Sequence, residues 1–290
     1  MIGPIGYFLL ERGGSQGPLT DAQLKSPHVV GQTIRVPWSA VHIGRGEFNG
    51  REIDDRLNQC ARTKRKAQLL IQTGRDGVSP GWIEGQWIQD GLDGSGGKRA
   101  PAPWSPQMMD AWAELWTWLG RHYGGSVVGT KITGPTWPSA EMHPCPGLKT
   151  KKGYSQAAMI NAWKNAGLIV ARAFPEVAAC LAISVQAEAN SYVRDVIGEL
   201  HDELGDQLRL QHNALAANTN PTAPHHRLIA DCHRLKGIEV GFEMKCPVKD
   251  RARFGSAAMN VMEGINIGKL AGGRYFDVYP QPEDIKGLRA

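Results

Sequence analysis

The feature of this sequence that most constrains its fold is an alternation between short β-rich runs and longer helical patterns. Eight β-rich runs follow one another along the 290 residues, and helix-like stretches or loops separate them. Such alternation favours parallel strands joined by crossover helices. The length also matches that of a single (β/α)8 barrel. The sequence therefore predicts an α/β protein with one eight-stranded TIM barrel.

The bounds of the predicted strands and helices come from apolar spacing and from capping residues. Thr20 is predicted to cap a short helix at 21–25. The predicted helix at 107–123 carries an apolar stripe that includes Trp112 and Trp116, a pattern typical of packing against a barrel. The eight predicted strands are 5–10, 33–36, 68–72, 127–132, 179–185, 207–211, 238–244 and 275–279.

A Gly- and Pro-rich stretch at about 74–106 follows the third predicted strand. We interpret it as a long loop inserted into a single domain that spans 1–290, since no linker or repeat divides the chain. Long loops inside compact domains are more often functional than accidental. A doubly wound open sheet is the alternative fold, because it alternates in the same way. The residues that follow the first strand are a poor match to a phosphate-binding loop, which argues against a nucleotide site.

Charge, hydropathy and cysteine spacing indicate which kinds of partner and cofactor this chain is not expected to bind. The formal net charge is +5, but the basic residues are scattered and no nucleic-acid motif accompanies them. No stretch reaches the roughly 18 apolar residues that a membrane span needs. The five cysteines fall at irregular spacing, which favours small buried side chains over a disulfide framework or a zinc site. We therefore expect no cofactor, no metal, no nucleic-acid partner and no membrane partner; the oligomeric state stays open.

The first ten residues lack the basic segment and the long apolar run of a secretory signal. We therefore expect either a cytoplasmic protein or one that is carried outside the cell by another route, such as a virion.

Candidate site residues follow from the predicted barrel, because barrel sites lie at the carboxyl ends of the strands. Glu243 ends the seventh predicted strand, and Glu141 lies in the loop after the fourth. Two carboxyl groups that face each other across a glycosidic bond are the groups that cleave it. The other candidates, expected to contact a substrate, are Arg35, Trp38, Trp82, Trp137, His143, Gln186, Glu188, His212, Asn213 and Tyr279.

These side chains suit an oligosaccharide or polysaccharide. Sugar rings pack their C–H faces on flat aromatic surfaces, and their hydroxyls need amides or charged groups as hydrogen-bond partners. The tryptophans are candidates for the first role. Gln186, His212 and Asn213 are candidates for the second.

One segment resembles a known family. Residues 34–41 read Ile-Arg-Val-Pro-Trp-Ser-Ala-Val; Gly46-Glu47-Phe48-Asn49, Ile53-Asp54 and Ser79-Pro80-Gly81-Trp82 follow. This is similar to the second and third strands of the clan of retaining glycoside hydrolases that includes β-galactosidases and cellulases. In that clan an arginine-bearing strand is followed by a Trp-Ser turn, a Gly-x-[Phe/Tyr]-[Asn/Asp] turn and a helix that opens with [Ile/Leu]-Asp. The third strand is then followed by Pro-x-Trp.

The resemblance implies a retaining mechanism with two glutamates. Its nucleophile would be Glu243 and its acid/base Glu141. The clan usually has Asn-Glu directly at the end of the fourth strand, whereas this chain has Ala140-Glu141 in a loop, so Glu188 remains a second candidate for the acid/base. Arg35 is expected near Glu243, where a cation would keep the carboxylate ionised.

Two other functions remain open. The barrel could bind a glycan without cutting it, in which case the protein would have a measurable affinity for sugars and no hydrolytic activity. It could instead be a structural part of a larger assembly, such as a phage tail, with the 74–106 loop as its contact surface. That function would expose an apolar patch that includes Trp87 and Trp104.

Overall fold

The computed structural model is a closed barrel of eight parallel strands. It describes residues 3, 5–11, 18–74, 77–89, 99–136, 142, 148–183, 192–216, 219–245 and 261–289. The last strand pairs in parallel with the first, so the predicted TIM barrel is confirmed and the open sheet is excluded. The strands are β1 Gly6–Leu10, β2 Val29–Pro37, β3 Lys66–Gln72, β4 Gly129–Ile132, β5 Ala178–Ile183, β6 Leu208–Leu215, β7 Glu239–Met244 and β8 Gly273–Val278.

Helices lie between the strands along the described parts of the chain. Thr20 caps the first of them, as predicted: its side chain accepts from the Gln23 amide, and the Gln23 side chain accepts from the Thr20 amide. Two short antiparallel hairpins are added, one pairing His42–Gly44 with Glu47–Phe48 and one pairing Trp87–Gln89 with Arg99–Pro101. The helices are α1 Asp21–Leu24, α2 Trp38–Val41, α3 Arg51–Thr63, α4 Pro106–Tyr123, α5 Gln156–Ala173, α6 Val193–Leu204, α7 Pro224–Lys236, α8 Val261–Leu270 and α9 Pro282–Gly287.

The main hydrophobic core lies between the barrel wall and the helices. Alternate residues of each strand point outward into it, and aromatic residues from α4 and α5 meet them there. Trp112, Trp116 and Trp163 are buried completely or almost so, and the first two rings meet edge to face at 5.5 Å. The predicted packing role of the tryptophans on α4 is therefore confirmed.

The inside of the barrel is more polar than this core. Thr33 on β2, Lys131 on β4 and Gln211 on β6 are buried with Asp277 on β8. Thr33 and Lys131 both contact Asp277, although neither β2 nor β4 neighbours β8, so these contacts pass through the interior. Inward-facing side chains of a small barrel fill its interior in layers.

Two strands differ from their predicted bounds by four residues at one end, whereas the ends of the other six lie within two residues of the predicted ones. β6 continues to Leu215, four residues beyond its predicted end, because polar Gln211 and Asn213 face the interior and break the apolar pattern. β2 begins at Val29, four residues before its predicted start, because Gly31 and Gln32 weaken the pattern there.

The cysteines that the structure describes, Cys60, Cys180 and Cys232, are free and buried, as predicted. Cys145 and Cys246 lie outside the described residues. Within the described ranges no helix has both the length and the hydropathy to cross a bilayer. Nor does that part of the chain hold a group of three or more His, Cys, Asp or Glu side chains placed for a metal ion.

We expect Gly31→Ala to destabilise the barrel strongly. An added Cβ would collide with the backbone carbonyl of Lys66 and lie 2.9 Å from the Phe8 ring. Backbone cannot move aside as a side chain can, so the free energy of unfolding should fall by at least about 3 kcal/mol, the upper end for overpacking. Urea unfolding followed by circular dichroism measures this.

The matched control is Gly198→Ala in α6, where an added Cβ meets nothing within 4 Å. That change should be neutral or stabilise the protein by up to about 1 kcal/mol, because alanine has the higher helix propensity. Equal effects of the two substitutions would contradict the close approach of β2 and β3.

Candidate functional site

Glu243 lies at the mouth of the barrel, near the carboxyl end of β7. Gly241, two residues earlier on β7, faces the interior against the Tyr275 ring, so the period of two places Glu243 on the same side. In register, Glu243 lies between Asn213 on β6 and Asp277 on β8. The Glu243 side chain keeps only a small exposed surface, 8% of the residue. A carboxyl group therefore stands where the predicted site needs one.

A chain of hydrogen bonds runs through the interior below Glu243. Lys131 Nζ lies 3.2 Å from Asp277 Oδ2 and also donates to Gln211 Oε1. Gln211 Nε2 in turn donates to Asn213 Oδ1 at 2.8 Å. The chain thus begins at a buried ion pair and reaches Asn213, which pairs with Glu243 in register.

The other side of the ion pair is also satisfied. Thr33 Oγ1 donates to Asp277 Oδ1 at 2.6 Å, and Gln68 Nε2 lies 3.3 Å from the same oxygen. The side chains of Lys131 and Asp277 are both fully buried. Buried charges are tolerated only when they are paired and hydrogen-bonded, and both conditions hold in this interior.

Arg35 lies two residues beyond Thr33 on β2, on the same face and nearer the mouth. With the amide of Gln72 turned so that its oxygen faces the guanidinium, Arg35 Nε and Nη2 each donate to it at 2.8 Å. The expected ion pair of Arg35 with Glu243 does not form between these two described residues. Arg35 is instead held by the neighbouring strand, β3, because the side chains at the ends of adjacent strands are closest.

The prediction that Trp38 offers a face to a sugar is wrong. Trp38 has no exposed surface, and its ring packs edge to face on Trp112 at 5.1 Å. Its Nε1 donates to His42 Nδ1 at 3.3 Å. The chain enters α2 directly after β2, which turns this indole to the helix side of the wall rather than over the mouth.

Trp82 is half-buried and held in place. Its Nε1 donates to the carbonyl oxygen of His42 at 3.0 Å, and its ring meets the His42 ring edge on at 4.6 Å. Trp82 lines a groove of about 230 Å³ between the 42–48 hairpin and α4, and Glu243 is not part of that groove. The groove is also lined by Arg45, Glu84, Gln107, Asp110, Ala111 and Glu114.

His42 organises this corner. Its ring stacks on Phe48 at 4.5 Å, and its Nε2 lies 3.4 Å from Glu114 Oε2. Burial lowers the pKa of His42 to about 4, even though the Glu114 carboxylate acts in the opposite direction. His42 is therefore a neutral core residue at pH 7.

The prediction that His212 contacts a substrate is also wrong. His212 is completely buried, and its ring lies 6.2 Å from those of His226 on α7 and Phe242 on β7. Since β6 continues past its predicted end, strict alternation turns His212 outward and Asn213 inward. Tyr279 follows β8 directly and is almost fully buried, with 6% exposed.

The other predicted site residues lie outside the described residues, so their roles stay predictions. This includes both candidates for the acid/base. These residues are Trp137, Glu141, His143, Gln186 and Glu188.

Sequence reasoning missed Lys131, Gln211 and Asp277. A signal was available, because each is a polar side chain inside a buried strand and has at least one apolar neighbour in sequence. In a strand of a closed barrel, such a residue faces the interior.

The tryptophans of the long insertion are anchored rather than fully exposed. Trp87 Nε1 donates to the Ile83 carbonyl at 2.9 Å, and Arg99 lies over the Trp87 ring at 5.0 Å from its centre. Trp104 Nε1 donates to Gln86 Oε1 at 3.2 Å. Both rings are half-buried, so these two do not make up the fully exposed apolar patch that a contact surface would need.

Comparison with known proteins gives structural likeness only. No protein-family model and no curated protein matches the sequence. The catalytic domain of a β-amylase from Paenibacillus polymyxa superposes with a TM-score of 0.65 at 12% identity, covering 97% of this chain and 94% of that one. Xylanase 10B from Thermotoga petrophila, solved with xylobiose, gives 0.61 at 10% identity, with 95% and 82% covered.

A third structure is an intracellular xylanase from Thermoanaerobacterium saccharolyticum in complex with xylotriose. It gives a TM-score of 0.56 at 12% identity and covers 95% of this chain and 85% of that one. At such identities the likeness establishes the fold. The resemblance to barrel glycoside hydrolases that the sequence indicated is therefore confirmed at the level of fold.

The low pKa of His42 predicts a pH-dependent stability. Because the pKa is about 4 in the folded protein and 6.5 as the ordinary value, the unfolded chain binds more protons between these pH values. The free energy of unfolding therefore rises with pH through this window and falls as the pH drops. Between pH 7.5 and 5.0 we expect His42 to account for a loss of about 2 kcal/mol.

Urea unfolding of the wild type and of His42→Gln at both pH values isolates this contribution. Glutamine does not titrate and keeps an acceptor for the Trp38 indole, so the variant should lose that part of the pH dependence. An identical pH dependence in both proteins would show that His42 is not a buried neutral residue.

Proposed function

We propose that this protein is a glycoside hydrolase that cleaves O-glycosidic bonds by a retaining mechanism, with Glu243 as the nucleophile. The observation that carries the proposal is the position of Glu243, an inward-facing carboxyl group at the carboxyl end of β7 with a small exposed surface. Catalytic groups of barrel enzymes come from this end of the strands. The sequence resemblance around β2 and β3 supports the same class.

In the first step the ionised Glu243 attacks the anomeric carbon. The bond from that carbon to the leaving oxygen breaks while a second carboxyl group gives its proton to that oxygen. In the second step this group takes a proton from water, the water oxygen attacks the anomeric carbon, and Glu243 is released as a carboxylate. We assign the second role to Glu141, with Glu188 as the other candidate; the mechanism requires carboxyl groups about 5–5.5 Å apart.

The described mouth suits a polyhydroxylated substrate. Arg35 and Gln72 on β2 and β3 are half-buried, and Asn213 faces the interior beside Glu243. These groups donate and accept hydrogen bonds, as sugar hydroxyls require. Two of the similar structures contain xylobiose and xylotriose, which supports an oligosaccharide or polysaccharide as the substrate class.

Glu243→Gln should lower kcat by roughly 10³-fold or more while leaving the fold intact, because an amide cannot attack the anomeric carbon. Hydrolysis is measured on a panel of 4-nitrophenyl glycosides, xylan and starch. The matched control is Glu239→Gln at the other end of the same strand, which loses its ion pairs with Arg209 and Arg274 but should keep its turnover. Near-normal turnover by Glu243→Gln would contradict the assignment.

Azide rescue separates the two carboxyl roles. Glu243→Ala with azide should form a glycosyl azide of inverted anomeric configuration, because azide enters where the carboxylate attacked. Glu141→Ala should instead form the azide of retained configuration, through an intact intermediate on Glu243. Proton NMR of the products distinguishes the two. A wild type that binds xylotriose in calorimetry but cleaves no glycoside would favour the non-catalytic binder.

A further inference from the structure

The hydrogen-bond chain Lys131–Gln211–Asn213, called the amide relay below, has a fixed direction. A lysine ammonium only donates hydrogen bonds, so the Gln211 oxygen must face Lys131. That leaves the Gln211 nitrogen toward Asn213, where the Asn213 oxygen accepts its bond at 2.8 Å. The Lys131 charge therefore determines the orientation of both amides, that of Gln211 directly and that of Asn213 through Gln211.

The relay reaches the strand position beside the proposed nucleophile. Asn213 pairs with Glu243 in the register of β6 and β7, and it retains 4% exposure, whereas Gln211 has 1% and Lys131 none. Since Oδ1 of Asn213 is turned down to Gln211, its Nδ2 is the part of the amide that Gln211 does not engage. The nitrogen, a donor, is thus the end of this amide that is turned away from Gln211, at the level of Glu243 in the strand register.

We propose that Lys131 is a positioning residue: through Gln211 it makes Asn213 present an N–H donor to a hydroxyl oxygen of the sugar ring held against Glu243. This inference rests on the proposed function. Asp277 holds the Lys131 ammonium at 3.2 Å, and Thr33 and Gln68 hold Asp277, so the starting point of the relay cannot turn away.

A purely structural role of Lys131, as the counter-ion of Asp277, makes a different prediction. Gln211→Glu distinguishes the two because it keeps the shape of residue 211 and leaves the ion pair in place. A carboxylate accepts from Lys131 but cannot donate to Asn213. Asn213 must then turn its nitrogen inward and its oxygen toward the mouth. If Lys131 had only a structural role, Gln211→Glu would leave the kcat of the enzyme unchanged.

The first measurement needs no substrate. Neutron crystal structures of the wild type and of Gln211→Glu locate the deuterium atoms of the Asn213 amide. We expect Oδ1 to face residue 211 in the wild type and Nδ2 to face it in the variant. The same orientation in both proteins would overturn the relay, whatever the protein hydrolyses.

The second measurement uses the 4-nitrophenyl glycoside that the wild type cleaves best, together with its monodeoxy analogues. Gln211→Glu should lower kcat 10- to 100-fold and change KM less than threefold, because hydrogen bonds to ring hydroxyls strengthen in the transition state. On one deoxy analogue the kcat of the wild type should fall by a similar factor. The kcat of Gln211→Glu, which is already low, should fall less than threefold further on that analogue. Normal kcat in the folded variant would overturn the proposal.

The matched control is Gln32→Glu, also a fully buried amide, whose Nε2 donates to the Arg56 carbonyl at 3.0 Å on the helix side of β2. It should lose stability but keep kcat and the response to the deoxy analogue. An equal loss of kcat in this control would mean that any buried carboxylate disturbs the barrel, and the proposal would fail.

If Gln211→Glu does not fold, the double variant Lys131→Met with Asp277→Asn removes both charges together and frees the relay. It should show the same selective loss of kcat and of sensitivity to the deoxy analogue; normal values would overturn the proposal. A wild type that cleaves no glycoside defeats the proposed function and the sugar contact with it. The neutron structures still decide separately whether Lys131 orients Asn213.

Discussion

Lys131 and Asp277 stand on opposite sides of the barrel and meet in its centre, with 3.2 Å between Nζ and Oδ2 and no exposed surface on either side chain. Removing two charges from water costs several kcal/mol per ion, and only close pairing with further hydrogen bonds offsets that cost. Gln211, Thr33 and Gln68 supply those bonds. The layer beneath the mouth therefore depends on this ion pair, because each of these polar side chains takes its orientation from it.

The helix-facing core has a different character. Trp38, Trp112 and Trp163 are buried among aliphatic residues, and such aromatic side chains contribute strongly to burial because of their large apolar area. Apolar residues of similar volume would often stabilise an interior as well as a buried ion pair does. The charges inside the barrel are thus better explained by the orientations that they impose than by stability alone.

Strand number, strand order and the position of Glu243 followed from the sequence, because apolar runs and their spacing record which residues are buried. The side of the wall that a residue faces did not follow as well. The sequence predicts Trp38 and His212 as mouth residues because they follow predicted strand ends. In fact β6 ran on past its predicted end, and the α2 turn after β2 carried Trp38 to the helix side. Side chains alternate strictly between the two faces as long as a strand continues, so a residue that extends a strand is fixed on one side of the wall, which a loop residue is not.

The contacts inside the barrel could not be predicted from the sequence, for a different reason. Lys131 and Asp277 are far apart along the chain, and only closure of the barrel brings them together. The lysine between Thr130 and Ile132 marks an inward position, but nothing in the sequence names its partner. Polar residues at alternate positions of buried strands therefore predict an interior network without predicting its pairs.

The described mouth of the barrel bears on how a sugar would be recognised. Trp38 is buried in the core and Trp82 lines a separate groove. The described groups at the mouth are therefore polar ones: Arg35 on β2, and Asn213 beside Glu243 in register. A site built from fixed hydrogen-bonding groups rejects an analogue that lacks one hydroxyl far more strongly than an apolar pocket rejects an analogue that differs by one methylene, because its buried polar groups are then left unpaired. If Glu243 is the nucleophile, selectivity in this part of the site should follow the pattern of hydroxyls on the bound ring, and the amide orientations imposed from Lys131 would decide which hydroxyl arrangement is accepted.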